Sequence, residues 1–187
     1  MILYLHGFRS SPHSRKAEQM QVAAGVAGVS FACPALPPSP RAAIALAQEL
    51  ITGCREPVIL IGSSLGGFYA TWLAERHQLR AVLVNPAVVP ALDLVPYIGR
   101  QTNYHTGEAF DFTAGHVDEL LALDTPALSR PGRYWLLVEE GDEVLDYRLA
   151  VARYAGARQT VLPGGDHAFS RWADYLEPII DFVRSPA

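Results

Sequence analysis

The apolar run Pro57-Val58-Ile59-Leu60-Ile61 passes directly into Gly62-Ser63-Ser64-Leu65-Gly66, and a helix-forming stretch starts immediately behind it. A strand, a G-x-S-x-G turn and a helix in that order leave the backbone very little freedom. The turn is tight enough to force its central residue, Ser64, into a strained conformation. Neighbouring backbone then leaves no room for a side chain at Gly62 or Gly66. The expected result is a serine hydroxyl lifted clear of a sheet edge. A serine that only capped a helix would not need glycine on both sides, and Ser63 is in the wrong register for the exposed position.

Short β-branched runs alternate with longer helical patterns along the rest of the chain. Strands are predicted at Ile2–Leu5, Val29–Cys33, Val58–Ile61, Ala81–Val84, Tyr134–Glu139 and Thr160–Leu162. Helices are predicted at Ser14–Ala24, Arg41–Gly53, Ser64–His77, Val144–Tyr154 and Ser170–Val183. Such alternation implies a doubly wound α/β architecture with a mostly parallel six-stranded sheet, whose strands are near-continuously apolar because helices cover both faces. With the serine turn, this is the pattern of a minimal α/β-hydrolase fold. Its first strand stands where the third would be in an eight-stranded version, because His-Gly normally follows that strand. Residues 1–187 are expected to form a single domain of ordinary size. Residues 86–131 break the alternation, with Pro86, Pro90, Pro96, Gly99, Gly107, Gly115 and Pro126 interrupting two weak helical patterns. An insertion after the fourth strand is where a cap over the site belongs, and long irregular segments in compact domains are usually functional.

A serine nucleophile needs a base, an orienting acid and an oxyanion hole, and this fold orders them Ser, acid, His along the chain. His167 follows the last predicted strand, where a loop can carry its ring back to Ser64. Asp142 follows the strand Tyr134–Glu139 through Glu140-Gly141, on the sheet edge where an orienting carboxylate is needed. Asp146, one helical turn on, and Asp166, beside the base, remain alternatives. The oxyanion donors are expected to be the backbone N–H groups of Leu65, at a helix N-terminus, and of Phe8, after His6-Gly7. Phe8 is also expected to form pocket wall. His6 at the end of the first strand shapes the oxyanion loop rather than carrying protons. His13, His77, His105 and His116 fit surface or packing roles, and their spacing matches no zinc motif. No metal or organic cofactor is expected.

Composition excludes other classes. A formal net charge of −4 with scattered arginines provides no basic stripe for nucleic acid. The N-terminal Met1-Ile2-Leu3-Tyr4-Leu5 has no basic leader or small-residue cleavage site. The longest apolar region, Ala81 to Ile98, is interrupted by Asn85, Pro86, Pro90, Asp93 and Pro96, which a membrane helix would not tolerate. A soluble, cytoplasmic protein with no membrane partner is expected. Cys33 and Cys54 lack metal or redox spacing and read as buried free thiols.

Several strings together carry a more specific resemblance. They are Tyr4-Leu5-His6-Gly7-Phe8 with Ser10-Ser11-Pro12, Pro34-Ala35-Leu36-Pro37-Pro38, Gly62-Ser63-Ser64-Leu65-Gly66-Gly67 with Tyr69-Ala70-Thr71-Trp72-Leu73, Val84-Asn85-Pro86-Ala87, Gly141-Asp142-Glu143-Val144-Leu145-Asp146-Tyr147, and Gly164-Gly165-Asp166-His167-Ala168-Phe169. Over nearly its whole length the chain resembles the YqiA-like bacterial esterases. The resemblance implies a small cytoplasmic serine esterase acting on a small-molecule ester or thioester, acyl-CoA among the candidates. It implies Ser64 as nucleophile, Asp142 as acid and His167 as base. Val88, Leu92, Leu94, Val95, Ile98, Phe110 and Phe112 of the insertion are candidates to line an acyl groove. The rival readings are a non-catalytic binding protein of the same fold, and an acyltransferase or haloperoxidase-like enzyme using the same three residues.

Overall fold

In the computed structural model, which describes residues 1–186, the chain runs β1 (Ile2–Leu5), α1 (Arg15–Val26), β2 (Phe31–Ala32), α2 (Pro40–Gly53), β3 (Ile59–Ser63), α3 (Leu65–His77) and β4 (Arg80–Val84). An excursion follows, comprising a single turn α4 (Pro90–Asp93), a hairpin of β5 (Gly99–Thr102) and β6 (Ala109–Phe112), and α5 (Ala114–Ala122). The main alternation resumes with β7 (Tyr134–Glu139), α6 (Tyr147–Arg153), β8 (Arg158–Leu162) and α7 (Trp172–Arg184). Six strands form one sheet in the order β2-β1-β3-β4-β7-β8, every neighbouring pair parallel.

The period-2 geometry of a strand sends successive side chains to opposite faces, so a strand buried on both sides must be apolar throughout. Leu3, Leu5, Leu60, Leu83, Leu136 and Val138 pack into a core shared with α2, α3 and α5. Ile2, Tyr4, Ile59, Ile61, Val82, Val84, Trp135 and Leu137 pack into the opposite core, closed by α1 and α7. Each fully buried aliphatic side chain stabilises by roughly 1.5–3 kcal/mol. The two layers therefore hold the central strands firmly, and with them the loops at their C-terminal ends.

Most boundaries shift by one or two residues from the sequence reading, and three of the shifts have a local reason. β2 pairs only at Phe31 and Ala32, and Pro34, two residues on, has no N–H with which to extend the ladder. α6 starts at Tyr147 rather than Val144. The N–H groups of Val144 and Leu145 donate instead to Asp142 Oδ1 at 2.9 and 2.8 Å, and Asp146 becomes the N-cap by accepting from Arg148 N. α7 starts at Trp172 rather than Ser170, since the N–H groups of Ser170 and Arg171 are held by the carboxylate of Glu139.

The excursion between β4 and β7 contains helical turns and also the antiparallel β5–β6 hairpin, which the sequence reading lacks. The hairpin docks over the loop after β1. Asn103 Nδ2 donates to Ser10 O at 2.7 Å, Tyr104 N to Arg9 O at 2.8 Å and Arg9 Nε to Thr102 O at 3.0 Å. Phe110, Phe112 and Tyr97 meet the ring of Phe8 edge-on at centroid distances of 5.0–5.9 Å, a geometry that aromatic pairs prefer. Among the described residues no helix is long and apolar enough to cross a membrane.

Candidate active site

The ends of β1, β3, β4, β7 and β8 converge at one edge of the sheet, the carboxyl edge where open α/β sheets place their ligand sites. At the end of β3 the chain reverses through Ser64, whose φ of 55° and ψ of −124° lie outside the regions open to ordinary residues. The strain is held from both sides. Ser64 N donates to Val84 O at 3.1 Å, and Ser64 O accepts from Gly67 N at 2.9 Å and Ala87 N at 3.1 Å. A Cβ on Gly62 would fall on the carbonyl oxygen of Gly66, and one on Gly66 would fall on that of Leu5. Both glycines are required by backbone crowding, as the sequence motif implies.

The structure brings Ser64, His167 and Asp142 together. His167 Nε2 lies 3.1 Å from Ser64 Oγ, while His167 Nδ1 lies 2.8 and 3.0 Å from the two oxygens of Asp142. A carboxylate can only accept, so Nδ1 carries the proton and Nε2 is left free to accept from the serine hydroxyl. The Asp142 side chain is 2% exposed. Burial alone would raise its pKa, but hydrogen bonds from His167 and from the N–H groups of Leu145 and Val144 outweigh that and hold it below the ordinary carboxylate value. The two alternatives stand elsewhere. Asp146 caps α6, and Asp166 has a buried Oδ1 with no hydrogen-bond partner.

His6 and Phe8 shape the opposite wall. His6 Nε2 accepts from Leu36 N at 3.0 Å and Nδ1 lies 3.0 Å from Gly7 O, which fixes a neutral ring with its proton on Nδ1. Its pKa is lowered, chiefly by burial. Gly7 packs against the serine, where a Cβ would meet Ser64 Cβ at 3.1 Å. The N–H of Leu65, first residue of α3, has no acceptor within its own helix and lies at the positive end of the helix dipole. Phe8, three residues beyond β1, lies on the segment that passes the serine.

A cavity of about 540 Å³ opens over this edge, lined by Ser64, His167, Phe8, Lys16, Tyr104 and Phe169 among others. A second, of about 240 Å³, shares His6, Gly7 and Phe8 and adds Leu36, Leu65, Tyr69 and Phe110. Of the seven candidate groove residues, Phe110 lines this second cavity and Val88 lines a separate surface hollow. Leu94 and Phe112 are buried, and Leu92, Val95 and Ile98 face solvent. Burial lowers the pKa of Lys16 to about 8 against the opposing pull of Asp166, Asp142 and Glu139, and its Nζ donates to Ala168 O at 2.7 Å. No cluster of metal-ligating side chains occurs among the described residues.

Three residues at this edge escaped the sequence reading as parts of a site. Lys16 is read as one position of a helix, Asn85 as part of a motif string and a break in an apolar run, and Glu139 only as the end of a strand. Asn85, directly after β4, and Glu139, the last residue of β7, are both buried polar groups, and such groups need partners.

Comparison with known proteins agrees with this architecture. The model of the family described as "Uncharacterised protein family (UPF0227)" matches residues 1–184. Among solved structures, a protein from Agrobacterium vitis S4 superposes with a TM-score of 0.80 at 19% identity, covering 98% of this chain and 87% of the other. The esterase domain of a Rhodothermus marinus protein gives 0.73 at 18% identity, covering 98% and 85%. A monoacylglycerol lipase from Paleococcus ferrophilus gives 0.72 at 15%, covering 97% and 93%. At these identities the likeness is one of fold.

Proposed function

The chain belongs to the UPF0227 (YqiA) family, and from that premise we propose that it is a serine hydrolase that cleaves small carboxylic esters or acyl thioesters through Ser64, His167 and Asp142. The observation that carries the reading is the continuous hydrogen-bonded path from Ser64 Oγ through the His167 ring to Asp142. The esterase domain and the monoacylglycerol lipase that share the fold are named for ester chemistry, which favours the same class of substrate.

In this reading, Ser64 Oγ attacks the carbonyl carbon as its proton passes to His167 Nε2. Asp142 keeps the ring in the reactive tautomer and stabilises the imidazolium. The N–H groups of Phe8 and Leu65 receive the negative oxygen of the tetrahedral intermediate, each contributing about 3 kcal/mol to lowering the barrier. The intermediate collapses, His167 protonates the departing alcohol or thiol, and an acyl group remains on Ser64. Water, deprotonated by His167, then attacks the acyl-enzyme, and collapse returns the proton to Ser64 and releases the carboxylic acid. Residues 86–131 act as a cap, with the β5–β6 hairpin resting on Phe8 beside the oxyanion site. Turnover of a p-nitrophenyl ester series from acetate to decanoate, compared with the matching acyl thioesters, tests the reading. Hydrolysis that is lost in Ser64→Ala supports it, and no turnover of any member contradicts it.

A further inference from the structure

His167 lies on an irregular loop between β8 and α7, and its neighbours adopt an unusual backbone. Gly164, Gly165 and Phe169 all have positive φ, at 67°, 79° and 59°. For a residue as bulky as phenylalanine this conformation persists only when its surroundings over-determine it. Phe169 is indeed buried, between the rings of Trp172 and Tyr175, but packing of one ring does not explain why the loop folds back on both sides of His167.

Two carboxylates do: Glu143 Oε2 accepts from His167 N at 2.9 Å, and a buried one gathers the segments on either side. Glu139, the last residue of β7, is 0% exposed. Its Oε2 accepts from the N–H groups of Asp166 and Ser170, both at 2.9 Å. Its Oε1 accepts from Arg171 N at 3.2 Å, the Ser170 hydroxyl lies 3.2 Å from both oxygens, and the Arg171 guanidinium approaches to 3.9 Å. All these partners are donors, which suits an acceptor-only carboxylate. The loop is wrapped so closely that a Cβ on Gly165 would fall on the carboxylate itself. The left-handed residues Gly165 and Phe169 stand directly before Asp166 and Ser170, whose N–H groups point at the one anion, a concave arrangement akin to a backbone nest. Asn85 closes the arrangement from the bend directly after β4. Its Nδ2 donates to the carbonyl oxygens of Asp166 and His167 at 3.0 and 3.2 Å, and its Oδ1 accepts from Glu139 N at 3.0 Å.

We propose that Glu139 is a positioning residue for His167, its buried carboxylate gathering the N–H groups on either side of the histidine so that the ring stands between Ser64 and Asp142. None of the hydrogen bonds of Glu139 reaches Ser64, Asp142 or the His167 ring, so it acts through the loop alone. Its kinetic consequence rests on the esterase reading above. A displacement of about 1 Å in a reacting group lowers the rate by about 100-fold, so a slack loop reads out in kcat while substrate binding is spared.

The test compares wild type, Glu139→Ala and Glu139→Gln for kcat and KM on p-nitrophenyl acetate, for urea denaturation, and for the downfield proton resonance of His167 Nδ1–H against Asp142. The expected result is that Glu139→Ala lowers kcat by about 100-fold with KM within about twofold, and weakens or removes the resonance. Glutamine, which keeps one acceptor oxygen, is expected to recover kcat to within about tenfold of wild type while remaining measurably below it. A folded alanine variant with wild-type kcat and an unchanged resonance overturns the proposal, whatever stability it has lost. Should the alanine variant not fold, the glutamine variant decides, and wild-type kcat with an unshifted resonance in it overturns the proposal. If wild type shows neither turnover nor serine labelling, the esterase reading fails and the resonance alone decides. A resonance shifted or lost in Glu139→Gln then supports the positioning role, and an identical one overturns it.

Discussion

The ring of His167 meets the carboxylate of Asp142 at 2.8 Å across 25 residues of sequence, and this contact distinguishes Asp142 from the sequence alternatives Asp146 and Asp166. An amide in its place would present a donor or a neutral acceptor to Nδ1 and favour the wrong tautomer. Asp142→Asn is therefore expected to lower kcat by about 10⁴-fold with little change in KM. Asp146→Asn, a substitution between two good N-cap residues, is expected to leave kcat within about twofold of wild type. Steady-state kinetics on p-nitrophenyl butyrate checks both, and the reverse pattern would move the acid to Asp146.

Gly66 tests the elbow rather than the chemistry. Its missing Cβ is the space occupied by the Leu5 carbonyl of β1, so alanine there must push β1 and β3 apart or straighten the turn. Gly66→Ala is expected to fold poorly or lose several degrees of thermal midpoint, a large effect for a one-carbon change. A variant with an unaltered melting curve would show that the turn is not confined in this way.

Phe112 anchors the hairpin to the core. It is 1% exposed and packs 5.0 Å from the Phe8 ring. Phe112→Ala is expected to cost about 3–5 kcal/mol, felt first in the hairpin, which is held by few elements. Limited proteolysis between residues 98 and 112, with near-wild-type far-ultraviolet circular dichroism, is the predicted signature. Uniform unfolding of the whole chain would mean that the hairpin and sheet form one cooperative unit.

Lys16 gives a pH dependence with a definite sign. Its folded pKa of about 8 is below the ordinary 10.5 because burial penalises the ammonium. Between those values the unfolded chain binds more protons than the folded one, so stability rises as pH increases from 8 towards 10.5, and below pH 8 the cost is fully present. Lys16→Met is expected to remove this rise. Urea midpoints of both proteins at pH 7.5 and 9.5 measure it, and equal slopes would show that Lys16 keeps its ordinary pKa.

The parts of this structure legible in the sequence were those fixed by local periodicity and tight turns. Central strands buried on both faces must be continuously apolar, and Ile2–Leu5 and Tyr134–Glu139 were readable to the residue. The elbow at Ser64 was readable because crowding requires glycine at 62 and 66. The hairpin was not readable. Gly99-Arg100-Gln101-Thr102 is polar and largely exposed, so β5 shows no alternation of buried and solvent-facing side chains, and the alternation in β6 extends over only four residues. The starts of α6 and α7 were displaced because Asp142 and Glu139 take N–H groups that would otherwise begin those helices. Glu139 lies 27–32 residues from the loop it holds, and nothing local distinguishes it from Glu140, which is exposed.

The most direct test of the central claim is the intact mass of the protein after incubation with a fluorophosphonate. The account predicts one adduct per chain in wild type, none in Ser64→Ala and much slower labelling in His167→Ala. An unmodified wild type, or an adduct that persists in Ser64→Ala, would contradict Ser64 as the nucleophile.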